Sequence, residues 1–533
     1  PKSLACRLTK DGKGTGFYKT LLHDTIMDLL CQAREETMAH YKSYDRDQGY
    51  FVQLVPSEQF DEYSIEKVID RFVEDNVSEE LFGWKYSNDE NGRKAIHPFL
   101  KLKIILYSYT RGLQTSREME AMLKCGHMGY VFLSANTFMD HSTICGFIDN
   151  FSNEIEEIYS KLLALLDGLG VIDWSMLMID GTKVSSNADK ELTSDAKGFS
   201  KKMERYRQLS EKIVERCKRI DVAEQSGEMS SDIAEEERKR IERQKRKYES
   251  VMRKIEEYEQ EVADGTRDEK EKVNLTDNES RLVKNNGTYI QGYNVQAVYC
   301  GNDVIVDIAA VSKSNDIELL APHVEHIERV KEELGVKTES TFLADKGYCN
   351  PSHVTNLTAA GEKIYCAIPE SMKSGWINDE KYHVGKEEND VIFSCCGGVK
   401  QKGYYDKKED AYVFTIRKNK CSECEHINTC WDAKGTQTKR KFKVSSVFVD
   451  HKDAWKEYSA KMESCQGQYI YNKRIGKEHN FNDLKHHGGL YYIYRKGRDK
   501  ATTIALLAGM AHNLKKLSRF MTIQGKNMKY CPL

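Results

Sequence analysis

Residues 174–183 read WSMLMIDGTK, and their period breaks with everything before them. Upstream, apolar residues recur at helical spacing. Here WSMLMI runs almost without a polar interruption, the pattern of a strand buried on both faces. The run closes on an acid, Asp180, followed by Gly181, so the sequence predicts a strand ending at Asp180. Taken singly, such an Asp is an ordinary turn residue. A second ending of the same kind follows Ser340–Ala344, where Leu343-Ala344-Asp345-Lys346-Gly347-Tyr348 again puts an acid after a short apolar run. Further strands are predicted at Tyr289–Tyr299, Val304–Val311 and Lys363–Ile368, with a helix from about Asp316 to Leu334. Two strands, a crossover helix, a strand closing on Asp and one more strand make a mixed α/β sheet. Acids at the ends of neighbouring strands share the edge where ligands gather in open sheets.

Working outward, residues 1–170 read as a helical region for DNA binding or dimerisation. One helical stretch lies near Leu21–Tyr41. Another, from Pro98 to Arg111, carries FLKLKIILYSY and stops at Gly112. Thr115 and Glu118 have capping-box spacing for a helix reaching Lys124. Asp140 precedes the next start, which leads into one long helix, FIDNFSNEIEEIYSKLLALL. A pair of helices around a glycine turn fits either a helix-turn-helix DNA reader or a plain bundle. The sheet takes residues 171–370 and 451–520, with 521–533 as a tail. Two insertions interrupt it. Residues 198–270 are charged and helical, and Ile241, Tyr248, Val251, Ile255, Tyr258 and Val262 trace a heptad seam. With Gly227 at a turn, they predict a coiled-coil-like hairpin. Residues 371–450 form a short-stranded, cysteine-rich insertion.

Among the 533 residues, 39% are hydrophobic and 31% charged, which suits a folded soluble protein with a long exposed surface. No apolar run is long enough for a membrane span, and the N-terminal stretch lacks the apolar core of a secretory signal. A cytoplasmic protein without membrane partners is expected, and its fifteen cysteines are then read as mainly reduced thiols. The net charge of −2 is neutral on nucleic acid, but its distribution is not. Between Lys461 and Lys529 fourteen Lys and Arg face four Asp and Glu.

That basic stretch holds one notable acid. On a helix, Tyr471, Arg474, Glu478 and Lys485, spaced by three, four and seven residues, share one face, with Lys473 and Lys477 nearby. A salt-bridged solvent face does not explain a lone acid in this company. Phosphodiester chemistry does, because carboxylates hold hard divalent cations against the scissile phosphate while cations grip the backbone. Tyr491, Tyr492 and Tyr494 with Arg495, Lys496 and Arg498 form a second aromatic–basic cluster suited to DNA.

Tyr471-x2-Arg474-x3-Glu478-x6-Lys485 matches the Tyr-Arg-Glu-Lys signature of a large group of bacterial insertion-sequence transposases without departure in spacing. Asp180-Gly181-Thr182-Lys183 resembles the segment of that group's first catalytic Asp, and Ala344-Asp345-Lys346-Gly347-Tyr348 the second. Gly292-Tyr293-Asn294-Val295-Gln296-Ala297 is similar to its second strand, and Pro98 through Asp140-His141-Ser142-Thr143 and Phe147 to its N-terminal helices. The resemblance covers roughly residues 60–520 in order. It implies an RNase H-like core in which Asp180, Asp345 and Glu478 bind two Mg²⁺ or Mn²⁺. The implied reaction is cleavage at transposon ends and transfer of the 3′-hydroxyl into target DNA, by a dimer on double-stranded terminal inverted repeats in the bacterial nucleoid. Tyr471, Arg474 and Lys485 would contact DNA, with Lys477, Arg495, Lys496 and Arg498 beside them. The alternatives are an inactive, domesticated DNA-binding derivative and a nuclease of the same fold without strand transfer.

Within the second insertion, Cys421-x2-Cys424-x5-Cys430 has the spacing of a tetrahedral zinc site, with Cys396 or Cys395 as a fourth ligand and His426 inside the cluster. Reduced thiols without metal are the other reading of the same residues.

Overall fold

The computed structural model describes residues 54–85, 94–285, 287–370, 382–387, 390–407, 411–425, 427, 438–446, 449, 451–475 and 479–524. The helix expected at Leu21–Tyr41 and residues 525–533 of the tail lie outside them.

Strand β1 (Met176–Ser186) does not stop at Asp180 as the sequence suggested; the acid is mid-strand. An apolar-run criterion sees only the doubly buried half. Beyond Asp180, buried Thr182, Val184 and Ser186 alternate with half-buried residues, and pairing continues to Ser185↔Gly292. The partner is the hairpin of β2 (Arg281–Asn285) and β3 (Thr288–Cys300), followed by β4 (Ile305–Val311). Helix α1 (Leu320–Leu334) crosses to β5 (Thr341–Ala344), and Lys363–Cys366 forms β6. Among the described residues the sheet has seven strands in the order β2-β3-β1-β5-β6. Strand β4 also pairs with β3, and a short β7 (Tyr492–Ile493) with β1. Strands β1, β5 and β6 are parallel and β3 is antiparallel to β1, which is the RNase H-like arrangement.

The helices before β1 pack onto this sheet through a shared core. Pro98–Thr110 is buried nearly all round, as its continuous apolar pattern requires, and so forms the centre of a bundle. The capping box at Thr115 and Glu118 and the Asp140 N-cap are both present. The single long helix expected after Asp140 is two, His141–Asn150 and Ser152–Gly168, because Phe151 leaves helical geometry (ψ 38°) and buries its ring. The C-terminal helix Arg498–Gln524 joins the two parts. Its Asn513 brackets β4, accepting from Ile305 N (2.9 Å) and donating to Ile305 O (2.7 Å). One hydrophobic cluster therefore runs from Val68 through the sheet to Met521.

The first insertion is a helical hairpin, Ala196–Gln225 and Ser231–Ala263, turning at Gly227 with φ +77°. Ile241, Val251, Ile255 and Tyr258 are buried in its seam. The second insertion carries two three-stranded sheets around Phe393 and Phe414. After it, the one helix expected from Asp453 toward Leu484 is interrupted. Lys452–Glu463 gives way to Cys465–Asn472 at Ser464, whose backbone is extended (ψ 151°), and a turn follows at residues 473–475 before His479–His486.

Candidate active site

Strands β1 and β5 run parallel with Ile179 opposite Ala344, so Asp180 and Asp345 come next in register on neighbouring strands. Register, rather than a common strand end, brings the acids together. Arg474, from the turn after Cys465–Asn472, reaches both of them. Its Nη2 lies 3.5 Å from Asp180 Oδ1 and its Nη1 3.4 Å from Asp345 Oδ1. Burial pushes the Asp180 carboxyl above its ordinary range. The Arg474 charge and the Gly181 N–H oppose that shift, while Asp345 and Asp316 add to it. The site thus concentrates negative charge in a partly desolvated place, with one guanidinium as the compensating cation.

The other face of β1 shows why a glycine follows the first acid. A Cβ at Gly181 would collide with Gln296 and come within 2.9 Å of the Tyr348 hydroxyl. Gln296 stands opposite Gly181 on β3, and Tyr348 donates to its Oε1. The Asp-Gly, Asn-Val-Gln and Asp-Lys-Gly-Tyr segments are therefore one hydrogen-bonded unit. Its centre is a residue that sequence reasoning missed. Asp316 Oδ1 accepts from Asn294 Nδ2 (2.6 Å), Gln296 Nε2 (2.9 Å) and Lys183 Nζ (3.0 Å). The available signal was Asn294 and Gln296 themselves, since two amides on one face of a buried strand require partners.

Lys485 points into the same region and donates to Lys183 O (3.0 Å); burial, then the charge of Lys183, lowers its pKa. Tyr471 is half-buried against Arg474, and burial raises its hydroxyl pKa. Because the helix is broken at residues 473–475, these side chains meet through a turn rather than along one continuous helical face. Glu478 and Lys477 lie outside the described residues. Of the second cluster, Lys496 and Arg498 are exposed, whereas Arg495 turns inward to Asp149 (2.9 Å) and Cys145 (3.0 Å).

Two family models match the chain, Transposase domain (DUF772) over residues 52–150 and Transposase DDE domain over residues 262–514. The chain belongs to the DDE transposases of insertion sequences. No curated protein and no solved structure matches it. The two matches fit the geometry. The helical transposase domain covers the bundle, and the DDE domain covers β2 to the C-terminal helix, including Asp345 and the segment around Arg474. Residues 151–261, which hold β1 and the hairpin, fall outside both. The transposase's sheet nevertheless makes β1 the partner of β3 and β5.

In the second insertion Cys395, Cys396, Cys421 and Cys424 line one small cavity with Tyr382 and Phe442. Among the described residues no group of His, Cys, Asp or Glu stands at metal-binding geometry. Cys430 and His426 lie outside the described residues. No helix among them is long and apolar enough to cross a membrane.

Proposed function

We propose that this transposase cleaves phosphodiester bonds at its element's ends and joins the 3′-hydroxyl to target DNA. Asp180, Asp345 and Glu478 are its catalytic carboxylates. The observation that carries the reading is the in-register pair Asp180 and Asp345, with Arg474 spanning them. Two hard carboxylates beside one another, one of them half-buried, fit Mg²⁺ or Mn²⁺ better than a soft metal. When bound, such ions polarise the scissile phosphate and lower the pKa of the attacking water or hydroxyl. The chain's own residues do the rest. Arg474 offers a planar fork of donors to a phosphate, and Lys485 a point charge. Tyr471, hydrogen-bonded to Arg474, fixes its direction. Lys477, Lys496 and Arg498 hold the flanking backbone of the double-stranded substrate, and Arg495 positions their loop.

Joining two ends requires two active sites, so the DNA-bound form is a homodimer acting in the cytoplasm. Residues 1–170 serve DNA binding and assembly, and the cysteines of the second insertion hold a structural Zn²⁺ through Cys396 (or Cys395), Cys421, Cys424 and Cys430.

The test is cleavage and joining of a labelled duplex carrying the element's ends, with Mg²⁺ or Mn²⁺. Asp180→Asn, Asp345→Asn and Glu478→Gln should each lower cleavage by about a thousandfold or more, as loss of a metal-held transition state implies. Unchanged cleavage in all three overturns the assignment, and cleavage without joining leaves a nuclease.

A further inference from the structure

The hairpin takes no part in the site above, yet its charges are sorted along its length. The half near the tip is knitted by ion pairs. Arg216 meets Glu237 at 2.7 Å, Arg238 meets Asp221 at 2.8 Å and also Glu224, and Arg219 meets Glu215 at 2.6 Å. Toward the base no ion pair joins the two helices among the described residues, and Arg246 with Glu242 and Lys245 with Glu249 pair within the second helix alone. Among the described residues, Lys201, Arg205 and Lys212 on the first helix and Arg243, Lys247 and Lys254 on the second have no carboxylate partner.

Lys197, Arg207, Lys218 and Arg253 also have none and point elsewhere, but these six fall into register. On each helix the steps are four and seven residues, which at 100° per residue keeps each trio on one stripe. The seam fixes how the stripes relate. Phe199 packs on Tyr258 (4.8 Å between ring centres) and Tyr206 on Tyr248 (5.4 Å), so Lys201 is level with Lys254 and Arg205 with Lys247. With Met203 facing Val251 and Ile255, and Ile213 facing Ile241, across an antiparallel pair, both stripes turn to the same side. Glu204, Glu211, Glu249 and Glu256 turn to the opposite side. The basic side spans about 16 Å, roughly five phosphates of one DNA strand.

The base of the hairpin is also tied to the proposed DNA-contact loop. Asn187, where the chain leaves for the hairpin, donates its N–H to Ile493 O (2.9 Å). On the return, Asp277 accepts from Gly497 N (3.2 Å) and Glu279 from Arg498 N (2.9 Å). Lys496 and Arg498 thus sit on the segment that anchors both ends of the insertion.

We propose that the basic side of the hairpin is a second DNA surface, holding the duplex backbone beyond the loop of Lys496 and Arg498. It rests on the reading of the protein as a transposase that holds its own ends. The contact is to phosphate oxygens and carries no base specificity. It contributes length of grip and salt dependence.

The experiment compares two full-length variants with equal charge change. One is Arg205→Gln, Lys247→Gln and Lys254→Gln on the basic side. The other is Arg207→Gln, Lys218→Gln and Lys245→Gln on the opposite side. Binding of a 60-base-pair duplex of arbitrary sequence is measured from 50 to 300 mM salt, with far-ultraviolet dichroism as a check on folding. Loss of three phosphate contacts should flatten the log–log salt slope by about 2 to 3 and weaken binding about tenfold or more at 100 mM salt. The control should change binding less than about twofold. Equal losses in both variants mean a net-charge effect and overturn the proposal, as does wild-type binding in the basic-side variant. A fall in dimer mass without a fall in DNA affinity overturns it in favour of a subunit contact. If the wild type binds no duplex at all, the transposition reading itself fails.

Discussion

Arg474 stands between the two sheet acids, with one guanidinium nitrogen 3.5 Å from Asp180 and the other 3.4 Å from Asp345. A cation in that place balances carboxylates that the fold forces together by strand register. In the proposed reaction the same guanidinium donates to a phosphate, so the acids and the DNA compete for it.

Arg474→Ala should therefore destabilise the metal-free protein by about 1–2 kcal/mol, a figure below that of a fully buried pair because Asp180 and Asp345 retain some exposure. Added Mg²⁺ should recover more stability in the variant than in the wild type. Thermal unfolding with and without 10 mM Mg²⁺ checks this; an equal metal-induced shift in both proteins counts against the bridging role.

Gly181→Ala tests the close contact behind the active site. The added methyl must displace Gln296 or the Tyr348 hydroxyl, since neither β1 nor β3 can retreat within a paired sheet. Overpacking of this kind costs about 1–3 kcal/mol. Cleavage should fall along with stability, and Tyr348→Phe combined with Gly181→Ala should lose less than the sum of the two changes. Additive losses would show that the two residues are uncoupled.

Asp316 is a positioning residue, since it touches Lys183, Asn294 and Gln296 rather than the acids themselves. Asp316→Ala leaves the Asn294 amide and the Lys183 ammonium without their acceptor, while Gln296 keeps Asn294 Oδ1, and should cost about 2–3 kcal/mol. Asp316→Asn keeps an acceptor while removing the charge, and should restore most of the stability but not the orientation of Lys183. Urea unfolding of both variants separates the two effects; equal losses would mean that the charge alone matters.

Asp483, on the helix that carries Lys485, has its carboxyl lowered from 3.8 to about 2, chiefly by the His512 imidazole 3.7 Å away. A depressed carboxyl adds stability that is present above its unfolded value and lost as pH falls through the folded one. Wild type should exceed Asp483→Asn in stability at neutral pH, with the gap closing between about pH 4 and pH 2. Unfolding at several pH values checks it, and a gap that persists at pH 2 rules it out.

The Zn²⁺ reading predicts close to one zinc per chain by elemental analysis of protein purified without chelator. Cys421→Ser should lower that content and the stability of the second insertion together. Protein that is folded and free of zinc removes the assignment.

Much of this was legible from residue order alone. The apolar runs before Asp180 and Asp345 mark buried strands because a strand covered on both faces has no polar side to show. The capping residues at Thr115 and Asp140 mark helix starts because free N–H groups need acceptors. The heptad of Ile241, Val251 and Ile255 marks the hairpin because a two-helix seam must be apolar every three or four residues. The spacing from Tyr471 to Lys485 is the basis of the phosphate contacts proposed above. What the sequence could not decide was anything set by long-range pairing. That Asp180 lies mid-strand depends on β3 continuing to pair past it, and that the long helix breaks at Phe151 depends on where its ring is buried. The Arg474 bridge needs a turn at residues 473–475 that helical spacing does not foresee. Asp316 became visible only when strands more than a hundred residues apart in the chain were laid side by side, because hydrogen-bond partners are chosen in space and periodicity is read only along the chain. WSMLMIDGTK thus announces a strand and an acid by local pattern, and the neighbours that give the acid its chemistry come from the sheet.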